Sequence, residues 1–162
     1  MARIDLSTIG MRLGYAMETE AGVKPATFNW LKGAKSLPEM NSEPETIDST
    51  TFDELQFKTY IDGLQDTGGA LAIGMNQTEE LINTWNDLYD TYAASKDEGK
   101  STWWVFWHPS LTKAFFFRGN PSKLGWGGAE VNSLFETNVY VTPVGDIGWA
   151  DAIEPTEVTA GA

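Results

Sequence analysis

The chain has 162 residues, a formal net charge of −12 and no cysteine. This length suits one domain, which can bury about 68–70% of the surface of the unfolded chain without covalent cross-links. The lack of cysteine excludes disulfides and thiolate metal sites, and the acidic surface disfavours binding to nucleic acid or anionic membranes. No segment is apolar enough to span a bilayer. The amino terminus lacks a signal-peptide core, so we expect synthesis in the cytosol.

Turn-forming residues interrupt the first part of the chain: Gly10, Gly14, Gly22 and Pro25. We therefore expect residues 1–27 to form an extended amino-terminal arm with little structure of its own. A single domain is expected over residues 28–152. Its first strand is predicted within "TFNWLKGAKSLPEM" at 27–40, with a bulge at Gly33.

A long acidic segment, "NSEPETIDSTTFDELQFKTYIDGLQDTGG", spans residues 41–69. So long an irregular segment is rare in a compact domain unless it is functional or disordered. It is too rich in large apolar residues for a solvated linker, so we expect it to contact another copy of the chain. The residues assigned to this inter-subunit loop are Glu43, Glu45, Asp48, Phe52, Asp53, Glu54, Leu55, Phe57, Tyr60 and Ile61.

A mildly basic region precedes the acidic loop. Residues 1–35 contain Arg3, Arg12, Lys24, Lys32 and Lys35, and the last four are assigned to a basic surface. Charge runs are usually solvated surface. The alternative is that the basic and acidic regions are complementary surfaces of neighbouring subunits.

The clearest periodicity follows a short strand predicted at 70–77. Apolar residues recur on one face of an α-helix predicted over residues 77–97, and this face comprises Leu81, Ile82, Trp85, Leu88, Tyr89 and Tyr92. Asn76 or Thr78 is suited to cap its start, and Gly99 is suited to close its end. We expect the aromatic stripe to pack against a sheet rather than to bind a ligand.

The hydrophobic period then changes to two, which predicts a hairpin with strands at 102–107 and 111–118. Both strands are apolar on both faces, so we expect burial on both sides. Further strands are predicted at 123–131 and 133–143, and residues 153–162 have the composition of a flexible tail. Together these elements predict a mainly β (α+β) fold, a β-sandwich or open barrel with one amphipathic helix packed on it.

The sequence carries no catalytic, cofactor or metal motif, so we do not expect an enzyme. The single histidine, His108, lies in a predicted turn and is expected at the surface. There is no G-x-S-x-G motif, P-loop or EF-hand loop.

A carbohydrate-binding β-sandwich module is the alternative function from another class. Its sugar-binding rings would come from Trp103, Trp104, Trp107, Phe115, Phe116, Phe117 and Trp126. The contiguous "WWVFW" favours burial instead, because a binding platform needs rings on one face only.

The phrases "LKGAKSLPEMNSEPETIDSTTFDE" and "FKTYIDGLQDTGGALAIGMN", followed by one helix and an aromatic hairpin, resemble the major tail tube proteins of long-tailed (siphovirus-type) phages. The resemblance covers about residues 5–152. This family is related in fold to the type VI secretion tube protein. The resemblance implies a structural virion protein whose hexameric rings stack into the tail tube, the conduit for genome ejection.

The same resemblance implies the partners of the chain. They are other copies of itself, the tape measure, terminator and distal tail proteins, and DNA only in passage through the lumen, without tight binding or membrane contact. It implies a place in the virion tail after synthesis in the host cytoplasm. Another ring-forming tail component, a terminator or baseplate protein, is the alternative within the same class.

Overall fold

The computed structural model describes residues 5–40, 44–53, 57–58, 60–65 and 70–157. Within these ranges the elements in chain order are β1 (Arg12–Met17), β2 (Asn29–Leu31), β3 (Ala34–Ser36), β4 (Pro44–Asp48), β5 (Tyr60–Gln65), β6 (Leu71–Asn76), α1 (Glu79–Ser95), a 3-10 turn (Lys96–Glu98), β7 (Thr102–Trp107), β8 (Lys113–Pro121) and β9 (Glu136–Asp151). Seven strands form an antiparallel sheet in the order β2-β1-β7-β8-β9-β6-β3, and β4 and β5 form a separate two-stranded sheet. The predicted mainly β fold with one helix is confirmed.

The large sheet is curled, because its two edge strands are adjacent in sequence. β2 pairs with β1 at one edge and β3 pairs with β6 at the other, although only residues 32 and 33 separate them. Gly33 has a positive φ of 93°, a conformation that favours glycine, and its carbonyl accepts a hydrogen bond of 3.0 Å from the Asn76 amide. Residues 29–36 therefore connect the two edges of the curled sheet, which has the form of an open barrel. The single strand predicted at 27–40 is in fact two strands, β2 and β3, at these opposite edges.

One side of the sheet and α1 share a hydrophobic core. The helix contributes Leu81, Trp85 and Leu88, and the sheet contributes buried residues that include Trp104 and Phe117. The Trp85 and Trp104 rings lie 5.5 Å apart, a separation typical of favourable aromatic pairs. The indole Nε1 of Trp85 also donates a 2.8 Å hydrogen bond to the Ser122 carbonyl.

The start of α1 and the end of the 3-10 turn that follows it carry the expected capping residues. The Thr78 hydroxyl accepts a hydrogen bond from the Leu81 amide (3.2 Å), so Thr78 is the N-cap. Glu79 and Glu80 lie in the first turn, where negative charge is favourable. Gly99, with φ of 78°, closes the following 3-10 turn through its amide hydrogen bond to the Lys96 carbonyl.

The other side of β1, β7 and β8 has a second core. Its buried residues are Ala16, Phe28, Trp103, Val105, Ala114 and Phe116, and partly buried residues near the carboxyl terminus, including Ile153, pack against them. The middle of β7 is thus buried on both sides, as its sequence predicts. On this side, residues of the same chain cover β7.

The predicted amino-terminal arm contains an inner strand of the sheet. β1 pairs with β2 on one side and with β7 on the other, and Leu13 and Tyr15 are buried. The expectation of an arm with little structure is therefore wrong for residues 12–17, because their backbone groups pair with strands distant in sequence.

The predicted flexible tail is likewise attached over its first residues. The Trp30 amide donates to the Thr156 carbonyl (2.7 Å), and the Thr156 amide donates to the Phe28 carbonyl (3.1 Å). The expectation of flexibility is wrong for residues 153–157, because these backbone bonds hold them against β2. Residues 158–162 lie outside the described ranges.

Residues 122–135 form an irregular loop, so the strand predicted at 123–131 is wrong. The carbonyl of Gly125 and the amide of Gly127 bond to the side chain of Gln77, which leaves them unavailable for strand pairing. The next predicted strand, at 133–143, corresponds to the longer β9.

The acidic segment at 41–69 is not irregular throughout. β4 and β5 pair in an antiparallel hairpin, with Ile47 opposite Ile61 and Asp48 opposite Tyr60. We call the described part of residues 44–65 the acidic hairpin.

Candidate assembly surface

The acidic hairpin exposes large apolar side chains. Phe52 is fully exposed, Phe57 is 80% exposed, and Ile47 and Tyr60 are each more than half exposed. Clustered exposed apolar residues usually mark interaction sites. The hairpin is therefore the strongest candidate for a contact between subunits.

The structure describes only some of the acidic residues that were assigned to the inter-subunit loop. Asp48 accepts a 2.9 Å hydrogen bond from the Thr50 amide. Hydrogen bonds from Thr50 hold the pKa of Asp48 below its ordinary value, so this carboxylate also serves the local turn. Asp53 is exposed. Outside the described residues lie Glu43, Glu54 and Leu55, and the side chains of Glu45 and Ile61 are not described.

Each of the four assigned basic residues has a partner within the same chain, whereas Arg3 lies outside the described residues. Arg12 contacts Glu154 (3.0 Å) and lies over the Trp30 ring (4.2 Å). Lys32 pairs with Glu157 (2.5 Å), and Lys35 pairs with Glu136.

Lys24 lies 3.4 Å from the centre of the Phe116 ring. Burial lowers the pKa of Lys24, although the charge of Asp151 acts in the opposite direction. A charged contact with a neighbouring subunit would have to compete with all four of these internal interactions.

The predicted helix face points into the core to different degrees. Leu81, Trp85 and Leu88 are buried. The remaining members are half-buried: Ile82, Tyr89 and Tyr92. These residues belong to the scaffold that holds the surface elements in place.

A buried carboxylate, Glu18, organises the turn after β1. It accepts hydrogen bonds from the Arg118 Nε (2.6 Å), the Trp103 Nε1 (2.8 Å), and the amides of Gly22 (2.9 Å) and Ser101 (3.1 Å). Sequence reasoning missed this residue, because Ser101, Trp103 and Arg118 lie far from it in the chain and leave no local signal.

The single histidine is a structural residue. His108 is buried, contrary to the expected surface position. Its Nδ1 accepts a hydrogen bond from the Ser110 amide (3.0 Å), so its Nε2 carries the proton and donates to the Ser7 carbonyl (2.5 Å). Both ring nitrogens are thus engaged in holding residues 7 and 110.

Across the part of the chain that the structure describes, no group of three or more histidine, aspartate or glutamate side chains is placed to hold a metal ion. Over the same residues, no helix is long and apolar enough to cross a membrane.

Most of the aromatic residues considered for sugar binding are not available for it. Trp103, Trp104, Phe116 and Phe117 are buried, and Trp107 and Phe115 are half-buried. Trp126 is the exposed member of the set.

No protein-family profile and no curated protein sequence matches the chain. Eight chains of solved structures match its fold. One of them is a chain in the cryo-EM structure of the anti-feeding prophage (AFP) baseplate, 6-fold symmetrised, with a TM-score of 0.62 and 7% sequence identity. The match covers 93% of this chain and 98% of that chain. At this identity the similarity defines a shared fold: a curled antiparallel sheet with one packed helix.

Proposed function

We propose that the chain is a structural protein of a phage-type tail that assembles with copies of itself into rings. The observation that carries the proposal is the match of nearly the whole fold to a chain from a six-fold symmetrised baseplate. The resemblance of residues 5–152 to tail tube proteins supports the same class independently of that match. By analogy with the symmetry of the matched particle, the proposed ring has six subunits.

The geometry of the acidic hairpin supports this proposal. It forms its own two-stranded sheet and presents Phe52 and Phe57 to solvent. Burial of these rings against a neighbour would contribute roughly 25 cal/mol per Å² of apolar surface. A lone monomer gains nothing from exposing them.

An open strand edge gives further support. β6 pairs with β9 only as far as Val141, and β8 pairs with the opposite edge of β9 as far as Asp151. Among the described strands, none pairs with the β6-side edge of β9 beyond Val141. Such an edge invites pairing with another chain, and a ring would cover it in a defined way.

Two positions in the tail fit this class. The resemblance of the sequence favours a stacked tail tube, in which the net charge of −12 per subunit leaves passing DNA free of tight phosphate contacts. The matched baseplate favours a single ring at the tail end. Both positions imply contacts with other tail proteins and a place in the virion.

Electron microscopy and analytical ultracentrifugation of the purified protein test the proposal. Stacked tubes support the tail tube, and isolated rings support a baseplate or terminator component. A protein that stays monomeric at every concentration and salt tested contradicts ring formation, and with it the proposed function.

A further inference from the structure

Trp126 is a large aromatic residue that is exposed and yet firmly held. Its side chain is 80% exposed, but the residues on either side of it are fixed by one buried amide. The Oε1 of Gln77 accepts from the Gly127 amide (3.0 Å), and the Nε2 of Gln77 donates to the Gly125 carbonyl (3.3 Å). The Phe135 ring supports the indole at a centroid distance of 5.0 Å.

The loop that carries Trp126 lies directly on the start of β9. A Cβ at Gly127 would lie 2.0 Å from the Glu136 carbonyl oxygen, so only glycine fits there. This close contact and the Gln77 amide restrict the positions that the loop can adopt. The Trp126 ring does not contribute to the hydrophobic core, and its backbone is held in place, so it can act as a preformed surface for binding a ligand.

Beside Trp126 lies an open cleft of about 570 Å³, within the size range of small-molecule sites, about 300–1,000 Å³. Its polar lining includes Lys35, Lys123, Glu136 and Asn138. Lys35 and Glu136 form an ion pair. Lys123 has no ion-pair partner among the residues that the structure describes.

We propose that this cleft binds a sugar ring, with Trp126 as its platform. A pyranose has an apolar C–H face, which suits the flat indole, and a rim of hydroxyls that both donate and accept. The lining supplies acceptors on Glu136 and donors on Lys123, while the amide of Asn138 supplies both. An apolar protein segment placed here would bury the Lys123 ammonium and the Asn138 amide without offering them partners, which is unfavourable, so the cleft fits a saccharide better than a subunit contact.

This inference goes beyond the proposed function and does not depend on it. It is tested on the full-length, unassembled protein labelled with ¹⁵N. Oligosaccharides of glucose, N-acetylglucosamine and glucuronic acid are the probes, added separately. The Trp126 indole N–H signal is assigned by its loss in Trp126→Phe.

We expect a saturable shift of the Trp126 signal with at least one probe. Trp126→Ala and Asn138→Ala should weaken that binding by about tenfold or more, as expected for the loss of a stacked ring or a bidentate hydrogen-bonding group. Trp149→Ala is the matched control. Trp149 is also highly exposed, but it borders a separate, more apolar cleft with Met11, Met40 and Phe106, so its removal should leave the affinity unchanged.

Three results overturn the proposal. The first is the absence of a saturable shift with every probe, and the second is binding that survives intact in Trp126→Ala. The third is a Trp126 signal that responds only when copies of the chain associate, because Trp126 would then belong to a subunit interface. Unchanged amide signals elsewhere in Trp126→Ala show that the variant is folded.

Discussion

The carboxylate of Glu18 is fully buried and accepts hydrogen bonds from two side chains and two backbone amides. Burial alone would raise the pKa of Glu18, but the hydrogen bonds, with Arg118 the largest contributor, hold it below the ordinary value. The folded state therefore binds a proton at Glu18 less readily than the unfolded state. Its contribution to stability is complete above the ordinary pKa of about 4.3, and it is lost as pH falls through the lower folded pKa.

Urea unfolding from pH 7 to pH 3 measures this contribution. Glu18→Gln should remove the associated part of the pH dependence and lower the free energy of unfolding at pH 7 by about 3 kcal/mol, since Arg118 then loses its charged partner. Glu20→Gln, an exposed neighbour, should change that energy by less than about 0.5 kcal/mol. Equal effects of the two substitutions would contradict a special role for Glu18.

At the same scale, Trp85 links the helix to the sheet by packing against Trp104 and by its bond to Ser122. Trp85→Ala should cost about 3–5 kcal/mol through the cavity that it leaves, and Leu88→Ala about 2–5 kcal/mol. Thermal and urea denaturation measure both. Asn86→Ala, on the exposed face of α1, is the control, and an unchanged melting temperature in Trp85→Ala would show that α1 does not pack as described.

At the scale of elements, Gly14 allows the carboxyl-terminal segment to cross β1. A Cβ at this position would lie 2.5 Å from the Val105 side chain and 2.8 Å from the Pro155 side chain. Gly14→Ala should therefore cost about 1–3 kcal/mol by overpacking, and it should loosen residues 153–157.

Hydrogen exchange of the Thr156 amide reports on that loosening. Gly128→Ala is the matched control, because a Cβ there meets nothing within 4 Å. If Thr156 is equally protected in Gly14→Ala and in the parent chain, the close approach at Gly14 does not hold the segment.

The elements that the sequence predicts correctly are those with local signals. α1 shows a helical repeat, and β7 and β8 contain continuous apolar runs separated by a short turn. β1 was not predicted, because Gly14 resembles a loop residue when its neighbours in space are unknown. Residues 153–157 are held by backbone bonds and ion pairs, which leave no hydrophobic period in the sequence.

The acidic hairpin and the Trp126 cleft could be predicted only in part, because some of their contacts join residues that are distant in sequence. The apolar content of the acidic hairpin was visible in residues such as Phe52 and Phe57. The position of Trp126 depends on Gln77, almost fifty residues earlier, and the Glu18 cluster joins residues from three parts of the chain. No local pattern encodes these contacts, because they form only when strands that are distant in sequence pair in the sheet.

At the scale of the whole molecule, the proposed ring assembly depends on the apolar residues of the acidic hairpin. Phe52→Ser combined with Phe57→Ser should abolish rings or tubes in electron micrographs and leave a folded monomer by circular dichroism. Val131→Ser removes an equally exposed apolar residue from another loop and should leave assembly intact. A chain that lacks residues 44–58 and still assembles normally would show that the hairpin is not an assembly contact.

Charge should affect the rate of assembly more than its final extent. Exposed ion pairs contribute only about 0–1 kcal/mol each, and the basic residues already have internal partners. Asp53→Lys should slow assembly, followed by light scattering, and added salt should partly restore the rate by screening. Asp53 is the cleaner choice, because Asp48 also bonds to Thr50. A rate that is unaffected by the substitution at low salt would remove the role proposed for charge.

The pairing of β1 with β7 has a consequence for synthesis on the ribosome. β7 begins 85 residues after Met17, so at about 5–20 residues per second β1 waits roughly 4–17 s for its central partner to be made. Strand pairing across so large a separation also slows folding. The last bonds to β2 form only after Thr156 has emerged. A nascent chain therefore leaves the β7-side edge of β1 unpaired for seconds, even after β1 has paired with β2. At high expression, strands of neighbouring chains can pair incorrectly with this edge during that interval.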